Sequence, residues 1–203
     1  MLSILIPVYC YDVRPLVYEL SRQLITVGID GEIRVYDDAS PIVWQEKNQE
    51  LAEIGVLVTY QEMAKNLGRA EIRNILARDA RFSTLLFLDA DSGINGNFLE
   101  NYLPFLSTTS VVVGGRIYGD TAIAPEYLLH HFYGSARESK TAKIRSKRPY
   151  QGFQTNNFLA PKSLLLRHPF DEKSRAYGHE DTLWGWQLQA LQIDILHINN
   201  PVE

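Results

Sequence analysis

"LLFLDADSG", residues 85–93, sets four apolar residues directly before Asp-Ala-Asp and a Ser-Gly break. A continuous apolar run ended by a turn signal reads as a central strand covered on both faces. Asp89 and Asp91 then stand at its carboxyl end, where open α/β sheets bind their ligands. Strand alternation would turn both side chains to one side, with Ala90 opposite. Two carboxylates that converge repel each other unless a cation lies between them. Oxygen-only ligands suit a hard ion, Mg²⁺ or Mn²⁺, which keeps positions for a substrate's phosphates. The plain alternative is a strand-end turn, where Asp is common.

The surrounding chain supports a strand at 84–92. "LSILIPV" (2–8) is a β-rich run, and Val13, Leu16, Val17, Leu20, Leu24 and Val27 follow at helical spacing up to Gly28. Next come "EIRVYDD" (32–38) as a strand, 43–54 as a helix, "GVLVTY" (55–60) as a strand and 68–80 as a helix. Beyond the central run, 98–106 reads as a helix and "SVVVGG" (110–115) as a strand. This alternation predicts an α/β fold, one domain with a mostly parallel central sheet and helices on both faces. Periodicity weakens over 116–162, and "ARESKTAKIRSKRPYQG" (136–152) carries six Lys or Arg against one Glu. That stretch reads as a long mobile loop, the kind that is commonly functional. Order returns with "TNNFLAPKSLLL" (155–166), strand into helix. "YGHEDTLWGWQLQALQ" (177–192) then forms a helix with Trp184, Leu188 and Leu191 on one face, and "IDILHI" (193–198) a strand.

A chain of 203 residues, 45% hydrophobic, can bury a substantial core. Its net charge of -4 gives no general attraction to nucleic acid. Cys10 is the only cysteine, so no intrachain disulfide and no thiolate zinc site can form, which fits a reducing, cytoplasmic compartment. The opening lacks the basic segment of a signal peptide, and no run is long enough to span a bilayer. Peripheral contact with a membrane, at its inner face, stays open.

Further polar groups fall where this fold would use them. Asp37 and Asp38 end the second strand and would share a rim with Asp89, although either could simply cap a turn. "KNLGRAEIRN" (65–74) reads as a helix start with Asn66 as cap, placing Arg69 and Arg73 four residues apart. Two guanidinium groups at a helix N-terminus suit a phosphate, although arginines on helices are usually solvated. Glu180 and Asp181 begin the last helix; one would cap it, and the other could face a cleft as a general base. His179 and His197 are either metal ligands or packed core histidines.

In order, "LSILIPVY", "VYDDAS", "NLGRAEIRN", "LFLDADSG", "TNNFLAPKS" and "FDEKSRAYGHEDTLWGW" resemble the family 2 glycosyltransferases of GT-A (Rossmann-like) fold, over nearly the whole chain. The later half is most like the galactosyl- and N-acetylgalactosaminyl-type members. The resemblance implies that residues 1–115 form the nucleotide-sugar half and 116–203 the acceptor and catalytic half of one domain. "DAD" stands at the DXD motif, so Asp89 and Asp91 would hold Mn²⁺ or Mg²⁺ against the donor diphosphate. Pro7, Val8, Tyr9 and Asp38, with Asp37 beside them, would line the base and ribose site, and Arg69 and Arg73 would lie near the nucleotide. Asn156 and Asn157 would edge the sugar pocket. Asp181, or else Glu180, would take the proton from the acceptor hydroxyl.

Two positions depart from the pattern. Cys10 stands where the family often has Asn. A metal-ligating histidine that many relatives have would fall beyond "NNPVE", as though the chain were truncated, which leaves His197 as the nearest substitute. The activity implied is inverting transfer of a sugar from a nucleoside diphosphate donor, UDP-linked by the same likeness, to a saccharide or other hydroxyl acceptor. The rivals are a nucleotidyltransferase, for which "IPVYCYD" lacks a glycine- and lysine-rich loop, and a nucleotide-sugar-binding module without catalysis. NAD chemistry is disfavoured because no GxGxxG follows the first strand.

Overall fold

The computed structural model describes residues 1–55, 57–119, 128–172 and 180–203, the side chains of Leu129 and His130 excepted. Strands from both halves share one seven-stranded sheet. They are β1 (Leu2–Val8), β2 (Gly31–Asp37), β3 (Val58–Glu62), β4 (Thr84–Leu88), β5 (Val111–Val113), β6 (Asn157–Pro161) and β7 (Ile195–His197), in the order β3-β2-β1-β4-β6-β5-β7. All run parallel except β6, which pairs antiparallel with β4 and β5. The N-terminal end of β6 therefore lies on the same rim as the C-terminal ends of the others. Between β1 and β4 the chain order reverses, which opens a crevice at that rim.

Both faces are covered, which explains the uninterrupted apolar runs. Leu2, Ile4, Ile6 and Val8 pack on one side with Leu16, Val17, Leu20 and Leu24 of helix α1 (Arg14–Val27). Helix α1 ends at Gly28, whose φ of 65° is the left-handed conformation that glycine adopts at little cost. Leu5 and Phe87 face the other way, towards helix α3 (Arg69–Asp79) and an aromatic cluster. In that cluster Phe87 and Phe158 stack at 4.9 Å, and Trp184 meets Phe153, Phe158 and Phe170 at 5.0–5.6 Å. Trp184 and Leu188 thereby dock helix α7 (Glu180–Ala190) and deliver its first residues to the rim. Leu191 lies past the end of that helix and is exposed, so the apolar face is shorter than its spacing suggests.

Several expectations need correction. The helix expected over 43–54 is α2 (Ile42–Asn48) followed by a 3₁₀ turn, Gln49–Glu53. Residues 98–106 form a 3₁₀ segment, Glu100–Phe105, containing Pro104, which has no N–H to donate. The largest correction concerns the basic stretch 136–152, expected as a long mobile loop. It holds the end of helix α4 (Leu128–Arg137) and helix α5 (Ala142–Arg145), while the strand and helix expected over 155–166 are β6 and α6 (Lys162–Arg167). Helix α4 puts Leu128, Phe132 and Tyr133 on its solvent side, which blurs the apolar-in, polar-out contrast that marks a helix in sequence. Helix α5 is fastened by the buried Arg145, whose guanidinium donates to the carbonyls of Val113, Gly114, Lys140 and Ile198 at 2.6–3.1 Å. The expected bend at 177–179, with His179, lies outside the described residues.

Candidate active site

β4 ends at Leu88, so Asp89 and Asp91 sit on a turn rather than in the strand. The Ser92 N–H closes that turn on the Asp89 carbonyl at 3.2 Å. The expected strand alternation therefore does not decide where the two carboxylates point. Asp91 is exposed and lines a cleft of about 310 Å³ with Tyr11, Asp12, Ala90, Gly93 and Glu203, at the β1–β4 reversal. Asp89 is held inward by Arg73, whose Nη2 donates to its Oδ1 at 2.7 Å. Its N–H meets the carbonyl of Asn156 at 3.2 Å, tying the turn to the start of β6.

Arg73 is 2% exposed, so it is committed to the interior rather than presented to a phosphate. Besides Asp89 it lies 3.7 Å from the buried Glu180, which Arg69 also approaches at 3.7 Å. Arg69 differs from its neighbour because its side chain is 52% exposed at the start of α3. That start is organised by Asp38. The Asp38 carboxylate accepts the N–H groups of Leu67 (2.6 Å) and Gly68 (2.9 Å), while Asn66, expected as the cap, donates to the Asp38 carbonyl.

Asp37 is fully buried and accepts from the Ser40 N–H (2.6 Å) and the Tyr60 hydroxyl (3.2 Å), so it shapes the rim without facing it. Pro7 and Val8 close β1, with the Val8 carbonyl taking the Asp38 N–H, and Tyr9 projects its ring from the rim. Cys10 has φ 54° and Ala39 φ 60°, two left-handed residues on adjacent loops. The Cys10 N–H donates to Ser40 Oγ at 2.9 Å. Asparagine tolerates this backbone conformation and cysteine does so at a cost, which gives the departure at this position a physical meaning. Cys10→Asn is expected to raise stability by up to about 1 kcal/mol. A lower denaturant midpoint for the variant would overturn that account.

The two acids expected to include the base, Glu180 and Asp181, differ in surroundings. Asp181 is only partly buried, and its carboxylate accepts from the Thr155 N–H (3.2 Å) and Thr155 Oγ1 (3.1 Å), so it reaches across to the β6 loop instead of capping its own helix. Burial raises its pKa above the usual Asp value, and the neighbouring Arg73 charge pulls part of that shift back. Thr155 was not foreseen; its only sequence signal is its place before "NN". Asn157 is a brace: it accepts from the Tyr102 hydroxyl at 2.6 Å and donates to the carbonyls of Gly115 and Asn200. Asn156 contrasts with it. Its amide nitrogen and oxygen are both buried and, among the described residues, have no hydrogen-bond partner. Such a group loses about 1–3 kcal/mol unless something supplies the missing bonds.

His197 does not serve as a metal ligand in this arrangement. Its Nδ1 accepts from Arg145 at 2.7 Å and its Nε2 meets the Pro149 carbonyl at 3.0 Å, which uses both ring nitrogens. Among the described residues no group of three or more His, Cys, Asp or Glu side chains gathers around one point. Any hard cation here would therefore take the remaining oxygens of Asp89 and Asp91 plus donors from a ligand. That oxygen-only donor set fits Mg²⁺ or Mn²⁺.

The family model for glycosyl transferase family 2 matches residues 3–173. The chain belongs to this family. Among solved structures, family-like architecture recurs in S. aureus TarS 1–349 with UDP-GlcNAc, which has a TM-score of 0.70 at 18% identity and covers 99% of this chain and 57% of that one. The TarS 1–349 structure without that ligand gives 0.67 at 18% identity, covering 99% and 59%. The mannosyltransferase PcManGT from Pyrobaculum calidifontis, in complex with GDP-Man and Mn²⁺, gives 0.64 at 18% identity, covering 98% and 54%. The present chain thus spans less than two thirds of the length of these proteins, and at such identity the likeness is one of fold. No curated protein matches the sequence. The family 2 assignment agrees with the resemblance carried by the six sequence segments; nothing in these matches selects galactosyl or N-acetylgalactosaminyl donors.

Proposed function

We propose that the protein is a metal-dependent, inverting glycosyltransferase that moves a hexosyl group from a UDP-sugar to a saccharide or other hydroxyl acceptor, in polysaccharide or glycoconjugate synthesis. One observation carries the reading. The Asp89 turn and the Thr155–Asp181 pair flank one rim, joined by Asn156, whose buried amide has, among the described residues, none of the partners that a sugar hydroxyl would supply. The matched structures holding UDP-GlcNAc and GDP-Man with Mn²⁺ support a nucleotide-sugar donor.

In this reading Tyr9 offers its exposed ring to the base, Arg69 meets the diphosphate, and Asp89 and Asp91 supply the protein's half of a cation site. A divalent ion bound there would neutralise charge building on the leaving diphosphate. The acceptor oxygen forms a bond to the anomeric carbon while the carbon–oxygen bond to the diphosphate breaks, its electron pair leaving with the nucleotide. Asp181 takes the hydroxyl proton, and Thr155 holds the carboxylate in place.

A site built half from protein and half from substrate makes a thermodynamic demand: nucleotide and cation should stabilise the fold together by more than the sum of their separate effects. Thermal unfolding with UDP or GDP, each with and without Mn²⁺, is expected to show that excess for UDP and to lose it in Asp91→Asn. An excess confined to GDP would overturn the choice of UDP. An excess that survives in Asp91→Asn would overturn the cation site.

A further inference from the structure

The feature left unused by the active site is the α4–α5 region. Residues 128–152 hold six Lys or Arg against one Glu, a local charge of +5 in a chain of net -4, which leaves -9 on the other 178 residues. Such segregation gives the molecule one face for an anionic partner and repels that partner elsewhere. Among the described residues, none of Lys140, Lys143, Lys147 and Arg148 is in an ion pair within the protein.

The cations do not stand alone. Phe132 is 69% exposed, Tyr133 59% and Ile144 50%, with Leu128 one helical turn before Phe132. Leu128, Phe132 and Ala136, with Tyr133 and Arg137 alongside, make the outward stripe of α4. The inward side of that helix is fixed to the segment after β5. Glu138 accepts from the Tyr118 hydroxyl at 2.7 Å and from Arg116 at 3.1 Å, and His131 meets the Tyr118 ring edge-on at 5.8 Å. Helix α5 is pinned by Arg145, so Lys140, Ile144, Lys147 and Arg148 border a groove of about 360 Å³ on a rigid base. Helix α5 is anchored where β5 and β7 end, on the rim that carries the active site, and α4 is tied to Arg116 and Tyr118 just after β5.

We propose that α4 and α5 form a docking surface for the anionic face of a lipid bilayer, with Phe132, Tyr133 and Ile144 entering the interface and Lys140, Lys143, Lys147 and Arg148 meeting headgroup phosphates. The interleaving of the two residue types selects this occupant. A soluble polyanion gains from the cations and gains nothing from exposed Leu, Phe and Ile, whereas a bilayer rewards both. In the protein's frame, the surface would present the active-site rim to an acceptor held at the membrane.

Co-sedimentation of the 203-residue chain with phosphatidylcholine vesicles, with and without phosphatidylglycerol, tests this. Binding is expected only with phosphatidylglycerol and should fall as NaCl is raised. Each Lys near an anionic leaflet adds about fivefold to partitioning, so K140E/K143E/K147E should lose at least about 100-fold. The charge-preserving variant F132S/I144S should also lose binding, with unfolding midpoints unchanged because every altered side chain is exposed. Equal binding to neutral vesicles, or none to anionic ones, would overturn the proposal. Vesicle binding untouched by F132S/I144S would assign the surface to soluble polyanions instead. A concentration-dependent dimer abolished by F132S/I144S, without vesicle binding, would assign it to a second copy of the chain.

Discussion

Asp181→Asn is expected to lower the rate of sugar transfer by about 10²- to 10⁴-fold while leaving UDP-sugar affinity close to that of the unaltered protein. The separation follows from position: Asp181 answers to Thr155 at the start of β6, whereas the nucleotide would be met by Tyr9, Arg69 and the Asp89–Asp91 turn. Because burial raises its pKa, the carboxylate gives up its proton at a higher pH than an ordinary Asp. A general base must be ionised, so activity should rise with pH through a limb lying above the normal carboxylate range, and that limb should vanish in the Asn variant. The stability sign is opposite. A raised folded-state pKa means that Asp181 favours the fold most below its unfolded pKa, and that contribution is lost as pH rises through the folded one. At neutral pH the variant should therefore be about as stable as its parent, less whatever the Thr155 contacts contribute. A helix cap would behave differently, costing about 0.5–2 kcal/mol and sparing turnover of the folded fraction. Full activity in a destabilised Asp181→Asn protein would restore the capping role. Loss of turnover in Glu180→Gln with Asp181→Asn still active would move the base to its neighbour.

How much of this was legible in the sequence depends on the range of the interactions concerned. The apolar runs at 2–8 and 85–88 and the helical spacing before Gly28 are local patterns, and they suffice for a mostly parallel sheet with both faces covered. The carboxylates at strand ends were visible for the same reason. Spacing could not reveal what each carboxylate touches. Asp37 and Asp38 are adjacent in sequence yet serve a loop turn and the start of α3, from contacts 3 to 30 residues away. Arg69 and Arg73 share a helix face, but only the fold, which brings Asp89 and Glu180 to Arg73, shows that one is exposed and the other buried. The order around α5, within 136–152, rests on Arg145 reaching backbone carbonyls of β5 and the segment after β7, which no periodicity encodes.

Arg73 is the residue for which those two views predict opposite outcomes. Read from the sequence it holds the nucleotide's phosphate; in the fold it is a buried cation between Asp89 at 2.7 Å and Glu180 at 3.7 Å. Removing the cation from this network leaves Glu180 with only the half-exposed Arg69 at 3.7 Å and Asp89 with only partial access to water, at a cost of up to about 3–5 kcal/mol. Arg73→Met, which keeps much of the side-chain volume, should therefore lower the denaturant midpoint severely. Arg73→Lys should recover only part of the loss, since a single ammonium on a flexible stem cannot reproduce the planar fork that serves Asp89 through Nη2 and faces Glu180 with Nη1. Adding Glu180→Gln to Arg73→Met removes one stranded carboxylate, so the double variant should be more stable than the sum of the single losses predicts. Asp89 would still lack its partner, and its turn would be less well fixed, so the excess stabilisation by UDP with Mn²⁺ should shrink even in the folded fraction. A phosphate-binding arginine would give the reverse pattern: Arg73→Met would weaken UDP affinity and leave the unfolding midpoint near its original value, with no coupling to Glu180→Gln. That result would show that Arg73 turns outward when donor is present and would return it to the nucleotide.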